Sequence, residues 1–420
     1  MISGDNSSKK VLPVSEYEAY GAGLMNLSNT TDVIDNLIKR RENAIHGGTN
    51  CIPFPFQRFH SEVPGVEQGQ YVVITASQKT GKTQIANFLY VFSVLDYAYD
   101  HPSECSVHII YFALEESVQR IIERYMSHLL FQLDGIRITP SDLRSTSKEY
   151  PIPQEALDKL QSEPYQKRLQ FFEDHIQFET ENTNPTGILR VCEAYAKSVG
   201  KYESHKEKSN GLSGRDVTIF DSYVQNDPNH YKICIIDHIS LVDKEQGFRA
   251  KDSVDKVSEY FVKYLRNRYN YTCVAIQQQA SESEGLEAMK QKRMTPTTAT
   301  LSDSKYTARD ADLVLGLFDP SKFGLRSWNG YIIQDEDGNG LKNYGRFLSV
   351  LANRNGEMGG VCSLFFDGAT CTFEELPPPD QVDKVSQYYQ KAKNIKSFKQ
   401  QRKLQILSLL NFIWKKKRIF

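Results

Sequence analysis

The chain of 420 residues has no apolar run long enough to cross a bilayer, and its opening, MISGDNSSKK, lacks the apolar core of an export signal. Both absences point to a protein that is neither exported nor membrane-spanning. Its seven cysteines (Cys51, Cys105, Cys192, Cys234, Cys273, Cys362 and Cys371) never form a C-x-x-C pair, and its nine histidines form no H-E-x-x-H or other ligand cluster. A structural zinc site and a disulfide framework are therefore not expected, and the cysteines read as buried, reduced thiols of a cytoplasmic protein. Excess charge of either sign is missing too, with 51 Lys and Arg against 52 Asp and Glu. That balance hides an asymmetry. Residues 386–420 carry ten Lys or Arg and no Asp or Glu, so taking them from the net charge of −1 leaves about −11 on the rest. Any basic groove in the main body must be local. The 40% hydrophobic and 25% charged content is that of an ordinary globular protein, with length for one large α/β domain or two modest ones.

What is present is organised around Gln70 to Leu89, QYVVITASQKTGKTQIANFL. Apolar and β-branched residues from Tyr71 to Thr75 predict a strand, and Ile85, Phe88 and Leu89 have helical spacing. Between them, Ala76-Ser77-Gln78-Lys79-Thr80-Gly81-Lys82-Thr83 matches the phosphate-binding pattern G-x-x-x-x-G-K-[ST] at every position but the first, where Ala76 replaces glycine. The spacing has a chemical reason: successive backbone N–H groups and the helix N-terminus face a β-phosphate, Lys82 adds charge, and the Thr83 hydroxyl can ligate Mg²⁺. Gly81 allows the backbone to come close.

Strands and helices alternate along the rest. Thr31 to His46 predicts a helix with Val33, Ile34, Leu37, Ile38 and Ile45 on one face, capped by Thr31 and stopped by Gly47-Gly48. A helix this short needs something to pack on, either its own domain or a neighbouring subunit. Residues 1–30 read as a flexible polar segment. Ser106 to Ala113 reads as a buried strand leading into Leu114-Glu115-Glu116, followed by a helix over about 117–133. Residues 137–200 read as mostly helical, and Lys201 to Gly214 as an exposed polar insertion.

The apolar run Ile233 to Ile236 predicts a central parallel strand ending on Asp237. Taken alone, that acid could be a turn-capping residue; beside a phosphate loop, it stands where the Mg²⁺ shell needs a carboxylate. A further strand, Thr272 to Ile276, ends in Gln277-Gln278-Gln279, and a long polar stretch from Ala280 to Asp303 follows, with Lys290, Lys292 and Arg293. Beyond a strand at Asp312 to Phe318, the short runs Phe347 to Ala352, Val361 to Phe366 and Thr372 to Leu376 carry antiparallel hairpin signals. Asp335, Asp337, Asn339 and Gly340 imitate a calcium loop, but its twelfth position is Arg346 where a bidentate Glu is required, so a turn is expected. Pro377-Pro378-Pro379 closes the predicted domain (48–376), leaving a basic tail at 377–420. Its apolar run from Leu404 to Trp414 is too short to span a membrane. The expected fold is a mostly parallel, doubly wound α/β sheet with a C-terminal antiparallel extension.

From about residue 48 to 376 the pieces resemble the RecA-like motor domain of DnaB-type replicative helicases. In that family the phosphate loop commonly begins with alanine, as at Ala76. YFALEES is similar to the family's F-S-L-E segment, which implies Glu115 as the residue that activates the attacking water. IIDHISLV resembles the I-D-Y-L-Q-L strand and assigns the Mg²⁺-associated carboxylate to Asp237, while AIQQQ resembles A-L-S-Q-L and puts the γ-phosphate-sensing glutamine at Gln278. LANRNGEMG looks like the K-Q-R-N-G hairpin, making Arg354 the finger that reaches a neighbouring subunit's nucleotide. The Thr31 to His46 helix resembles the linker helix that docks on the next protomer. Ala352 replaces the family's lysine two positions before the finger, and the family's N-terminal helical domain has no counterpart.

The resemblance implies an ATP- and Mg²⁺-dependent helicase, a homo-oligomer expected as a hexamer on single-stranded DNA at a replication fork, with a primase or loader as partner. It would act in the cytoplasm, the host's if the chain is virus-encoded. In such a ring the Asp243 to Asp252 and Ala280 to Asp303 loops would grip the strand. Two other readings remain at this stage. The scarcity of positive charge in the body and Ala352 favour a KaiC-like regulatory or loader ATPase that does not translocate. A degenerate subunit without turnover would have a damaged catalytic carboxylate, whereas Glu115 is intact.

Overall fold

The computed structural model describes residues 30–46, 50–146, 151–208, 216–280, 285, 289–291, 293–302 and 304–395. The segment before Thr30, the Gly47-Gly48 stop, residues 209–214 of the insertion and the run Leu404 to Trp414 lie outside the described residues, as does much of the 280–303 stretch. No helix among the described residues is long and apolar enough to cross a membrane.

The longer strands are β1 (Tyr71–Ala76), β2 (Ser106–Ala113), β3 (Ile176–Glu179), β4 (Gly200–Lys208), β5 (Asp216–Gln225), β6 (His230–Asp237), β7 (Thr272–Gln278), β8 (Leu313–Phe318), β9 (Gly345–Asn353), β10 (Val361–Asp367) and β11 (Thr372–Glu375). All except β4 and β5 form one sheet in the order β11-β10-β9-β8-β1-β7-β6-β2-β3. From β8 to β3 the neighbours run parallel, and β9 to β11 continue the sheet antiparallel. The doubly wound sheet and its antiparallel extension are those expected.

Helices cover both faces, which is why the central strands read as unbroken apolar runs. Counted from the N-terminus, α1 is Thr30–Ile45, and α2 begins with Lys82–Asn87, passes through a π segment at Phe88–Phe92 and ends with Ser93–Asp100. Then come α3 (Val118–Asp134), α4 (Glu163–His175), α5 (Pro185–Ser198) and α6, which starts as Ala250–Tyr260 and runs on to Tyr269. Side chains alternate along each strand, so Ile74, Ile235 and Ile276 join Ile85, Leu89 and Tyr125 in one core, under α2, α3 and α4. Val73, Cys234 and Ala275 join Ile188, Val257 and Leu265 in the other, under α5 and α6. Local chemistry sets the helix ends: Asn184 caps α5 by accepting from the Gly187 N–H at 2.8 Å ahead of a proline at the first turn, and Gly135 ends α3 at φ +67°.

Three regions differ from the sequence expectation. Within the 201–214 insertion, Lys201–Lys208 is strand, part of β4, paired antiparallel with β5; Phe220 and Tyr223 of this ribbon bury against the Tyr269 ring. The folded body also continues past the three prolines. A helix over 382–395 (α7) lays Val385, Ala392 and Ile395 on a third core with Phe347 and Phe365. On α1 the apolar stripe faces outward, with Val33, Ile34, Leu37, Ile38 and Ile45 all exposed, while Asn36, Lys39 and Asn43 line a cavity beside Asn229 and Asn270 of the body. The α1 stripe therefore does not cover its own domain. At 335–340 the calcium-like sequence is a turn, with Asp335 accepting from the Asn339 N–H at 2.6 Å.

The end of the sheet opposite the phosphate loop is tied by one ion pair. Arg266 Nη1 donates to both oxygens of Asp312 at 2.7 and 2.8 Å, and Asp312 Oδ2 accepts from the Tyr71 N–H at 2.9 Å, clamping the starts of β1 and β8. Both side chains are nearly buried. Replacing Asp312 by Ala would leave the guanidinium without its charge partner, and a loss of about 3 kcal/mol in urea unfolding is expected; a change below about 1 kcal/mol would mean that the clamp is not structural.

Candidate nucleotide site

Parallel pairing brings the carboxyl ends of β1, β7, β6 and β2 to one edge. Beyond β1 the chain turns through Lys79 at φ +55° and Gly81 at φ +102° into the first turn of α2, whose leading N–H groups have no intrahelical acceptors. A Cβ on Gly81 would meet the Phe366 ring at 3.4 Å as well as straining the backbone. At the end of β6, Asp237 Oδ1 accepts from Thr83 Oγ1 at 3.1 Å, and Asp237 Oδ2 accepts from Tyr111 Oη at 3.3 Å; the same Tyr111 hydroxyl is 2.9 Å from Asn87 Oδ1. The Asp237 carbonyl accepts from the Leu114 and Glu115 N–H groups at 2.8 and 3.0 Å. Glu115 is thereby fixed to the strand that carries Asp237, although two further strands separate β2 from β1. Lys82 Nζ lies 3.8 Å from Glu115 Oε2, with the Lys82 side chain 10% exposed and the Glu115 side chain 51% exposed.

Residue alternation assigns the glutamines. Register pairs Ala76 with Gln278 and Asp237 with Ile276, so Gln278 shares the α2 face of the sheet with Asp237. Gln277 and Gln279 fall on the other face and are buried: Gln277 Nε2 donates to the Ser304 carbonyl at 2.9 Å, and Gln279 Nε2 to Thr75 Oγ1 at 2.9 Å. Arg354 is not part of this cluster. Its N–H donates to the Asp312 carbonyl at 2.8 Å and its Nη2 to the Arg309 carbonyl at 3.2 Å, at the start of β8, one strand length or roughly 20 Å from the phosphate loop.

Burial dominates the electrostatics. It pulls the Lys82 ammonium below its ordinary pKa, opposed by Glu115 and Asp237. It pushes the Asp237 carboxyl up to about 6, opposed by the nearby Lys82. A buried carboxylate held near a hydroxyl, both hard oxygen donors, suits a Mg²⁺ ion shared with phosphate oxygens, and Thr83 and Asp237 are the residues that could hold it.

Sequence reasoning missed the outer support of the loop. Arg346, read only as the residue that spoils a calcium site, is buried and donates from Nε to the Thr80 carbonyl at 2.8 Å, with Nη2 3.0 Å from Asp319 Oδ2. Lys322 Nζ donates to the Gln78 carbonyl at 2.9 Å. The one sequence signal was a charge in the otherwise apolar strand GRFLSVLAN.

The fold and this edge define a RecA-like P-loop ATPase domain. No family model and no curated protein sequence matches the chain. Among solved structures, the ATPase domain of a DnaB-like replicative helicase superposes with a TM-score of 0.52 at 15% identity, over 82% of this chain and 99% of that chain. A DnaB-like replicative helicase described together with its interactions with primase superposes with a TM-score of 0.54 at 13% identity, over 86% of this chain and 70% of that chain. The particular version of the fold is thus that of the DnaB-type motor domain.

The raised Asp237 pKa has a direction that stability can test. The unfolded chain ionises this group at its ordinary 3.8, the ligand-free folded chain only at about 6, so the cost of the buried carboxylate is absent below the first value and complete above the second. Asp237→Asn should therefore stabilise the ligand-free protein by about 2–3 kcal/mol at pH 8, with the gain fading towards pH 4. Urea unfolding at both pH values checks this; an equal effect at both would show that Asp237 is not desolvated.

Proposed function

We propose that the chain is an ATP-dependent replicative DNA helicase that translocates on single-stranded DNA as a homo-oligomeric ring, expected to be a hexamer. The observation that carries this reading is the separation of Arg354 from the phosphate loop of its own chain: an exposed arginine at the far end of the sheet can act on a nucleotide only in another copy. The outward apolar stripe of α1 supports the same conclusion, since a short helix with an uncovered face calls for a neighbouring protomer.

In this reading the backbone from Ala76 to Gly81 and the Lys82 ammonium bind the phosphates of ATP. Mg²⁺, when bound, neutralises charge between the β- and γ-phosphates. Thr83 and Asp237 hold it. Glu115, more exposed than Asp237 and tied to it through the backbone, accepts a proton from water and aligns it for attack on the γ-phosphorus. Gln278, on the same face, senses whether the γ-phosphate is present, and Arg354 of the adjacent copy stabilises charge in the transition state. The loops 243–252 and 280–303 would contact the strand, with Phe248 and Arg249 exposed on the first. The DnaB-like relative solved with primase in view makes a primase or loader the natural candidate partner.

Steady-state ATP hydrolysis with and without single-stranded DNA tests the proposal. DNA should stimulate turnover, and Lys82→Ala and Arg354→Ala should each lower it by about a hundredfold or more. Mixing the two inactive variants should restore part of the activity, because an Arg354→Ala protomer keeps an intact phosphate loop and a Lys82→Ala protomer keeps an intact finger. Hydrolysis indifferent to DNA would replace the translocase reading with that of a regulatory ATPase, and failure of the mixture to recover would remove the shared site.

A further inference from the structure

The phosphate loop is braced from outside at alternate peptides, and the brace at Thr80 is an ion pair buried inside the antiparallel extension. Arg346 stands at the start of β9, where that strand passes the end of β8. Its Nε reaches the Thr80 carbonyl at 2.8 Å, its Nη1 the Gly345 carbonyl at 2.8 Å, and its Nη2 comes within 3.0 Å of Asp319 Oδ2; the guanidinium carbon lies 5.1 Å from the Phe366 ring centroid. Asp319 in turn accepts from the Ser321 N–H at 3.0 Å. Every polar edge of the guanidinium is thus engaged, and its planar fork fixes direction as well as charge.

A trans peptide carries its C=O and N–H on opposite sides of one plane. Holding the Thr80 carbonyl outward therefore turns the Gly81 N–H inward, to the side where a phosphate would sit, and the positive φ of Gly81 continues that turn. Lys322 does the same at Gln78, whose carbonyl it holds from the surface, turning the N–H of Lys79. Inward N–H groups at alternating peptides make an anion-binding nest.

We infer that Arg346 is a positioning residue for nucleotide binding, presetting the Gly81 N–H for a β-phosphate through the Thr80 carbonyl without touching the nucleotide. The inference rests on the nucleotide reading of the loop. It goes beyond it in giving the antiparallel extension a role in the shape of the cradle. Because the preset N–H serves the β-phosphate, its loss weakens ADP and ATP and leaves AMP unaffected.

The test is equilibrium binding of ADP and AMP, with Mg²⁺, to wild type, to Arg346→Lys, which keeps a charge opposite Asp319 but loses the fork, and to the double variant Arg346→Met/Asp319→Asn, which removes both buried charges together. ADP affinity is expected to fall about tenfold in both variants, the worth of one hydrogen bond to a charged group, with AMP affinity and ligand-free melting largely retained by at least one of them. An ADP-to-AMP affinity ratio equal to that of wild type would overturn the assignment. So would loss of the fold in both variants, which would make the pair purely structural. Wild-type protein that binds neither ADP nor ATP would overturn the nucleotide reading itself, an outcome distinct from the other two.

Discussion

Six strands paired in parallel must all end at the same edge, and with both faces of the sheet buried under helices that edge is where polar side chains can leave the core. The position of the candidate site follows from this constraint. Asp237 reaches Thr83 although β7 lies between their strands, because the α2 helix overlies β7 and carries Thr83 across it. Glu115 follows through the two backbone hydrogen bonds that join its turn to the Asp237 carbonyl. The same geometry excludes Arg354, which leaves an antiparallel strand at the opposite edge.

The parts of this arrangement that depend on short-range rules were legible in the sequence. The phosphate loop is a matter of backbone conformation over eight residues, and Asp237 ends an apolar run of the length that a buried strand requires. Gln278 came from the resemblance, and strand alternation gives it a physical reason, since its two neighbours are committed to the other face by buried hydrogen bonds. What could not be read depends on distant contacts. Arg346 meets Thr80 across 266 residues of chain, and nothing near either position marks the pairing. The β4–β5 ribbon was missed because its first strand is polar and owes its shape to a partner and to the Tyr269 ring rather than to an apolar pattern of its own. The helix at 382–395 was hidden behind three prolines, a stop signal that ends one element without ending the fold.

Charge is distributed so that each buried ion meets a counterpart in the body: Arg266 with Asp312 at one end of the sheet, Arg346 with Asp319 at the other. Asp237 is the exception. Its carboxylate has hydroxyl donors and only the more distant Lys82 for compensation, and burial therefore weighs against its ionised form. A structural ion pair would relieve that strain within the chain. A carboxylate left in this condition favours a cation supplied from solution, in keeping with the reading of the edge as a Mg²⁺-nucleotide site.

Strand β9 begins beside the phosphate loop with Arg346 and leads, eight residues later, to Arg354. An extended, doubly hydrogen-bonded strand of this kind is stiff along its length, about 27 Å for that span. In a ring it would join the interior of one catalytic site to the face presented to the next, so that a shift of the loop on phosphate departure would be felt by the adjoining protomer's nucleotide. Order of firing around the circle would then be a property of a single strand's rigidity, with no need for a separate messenger between subunits.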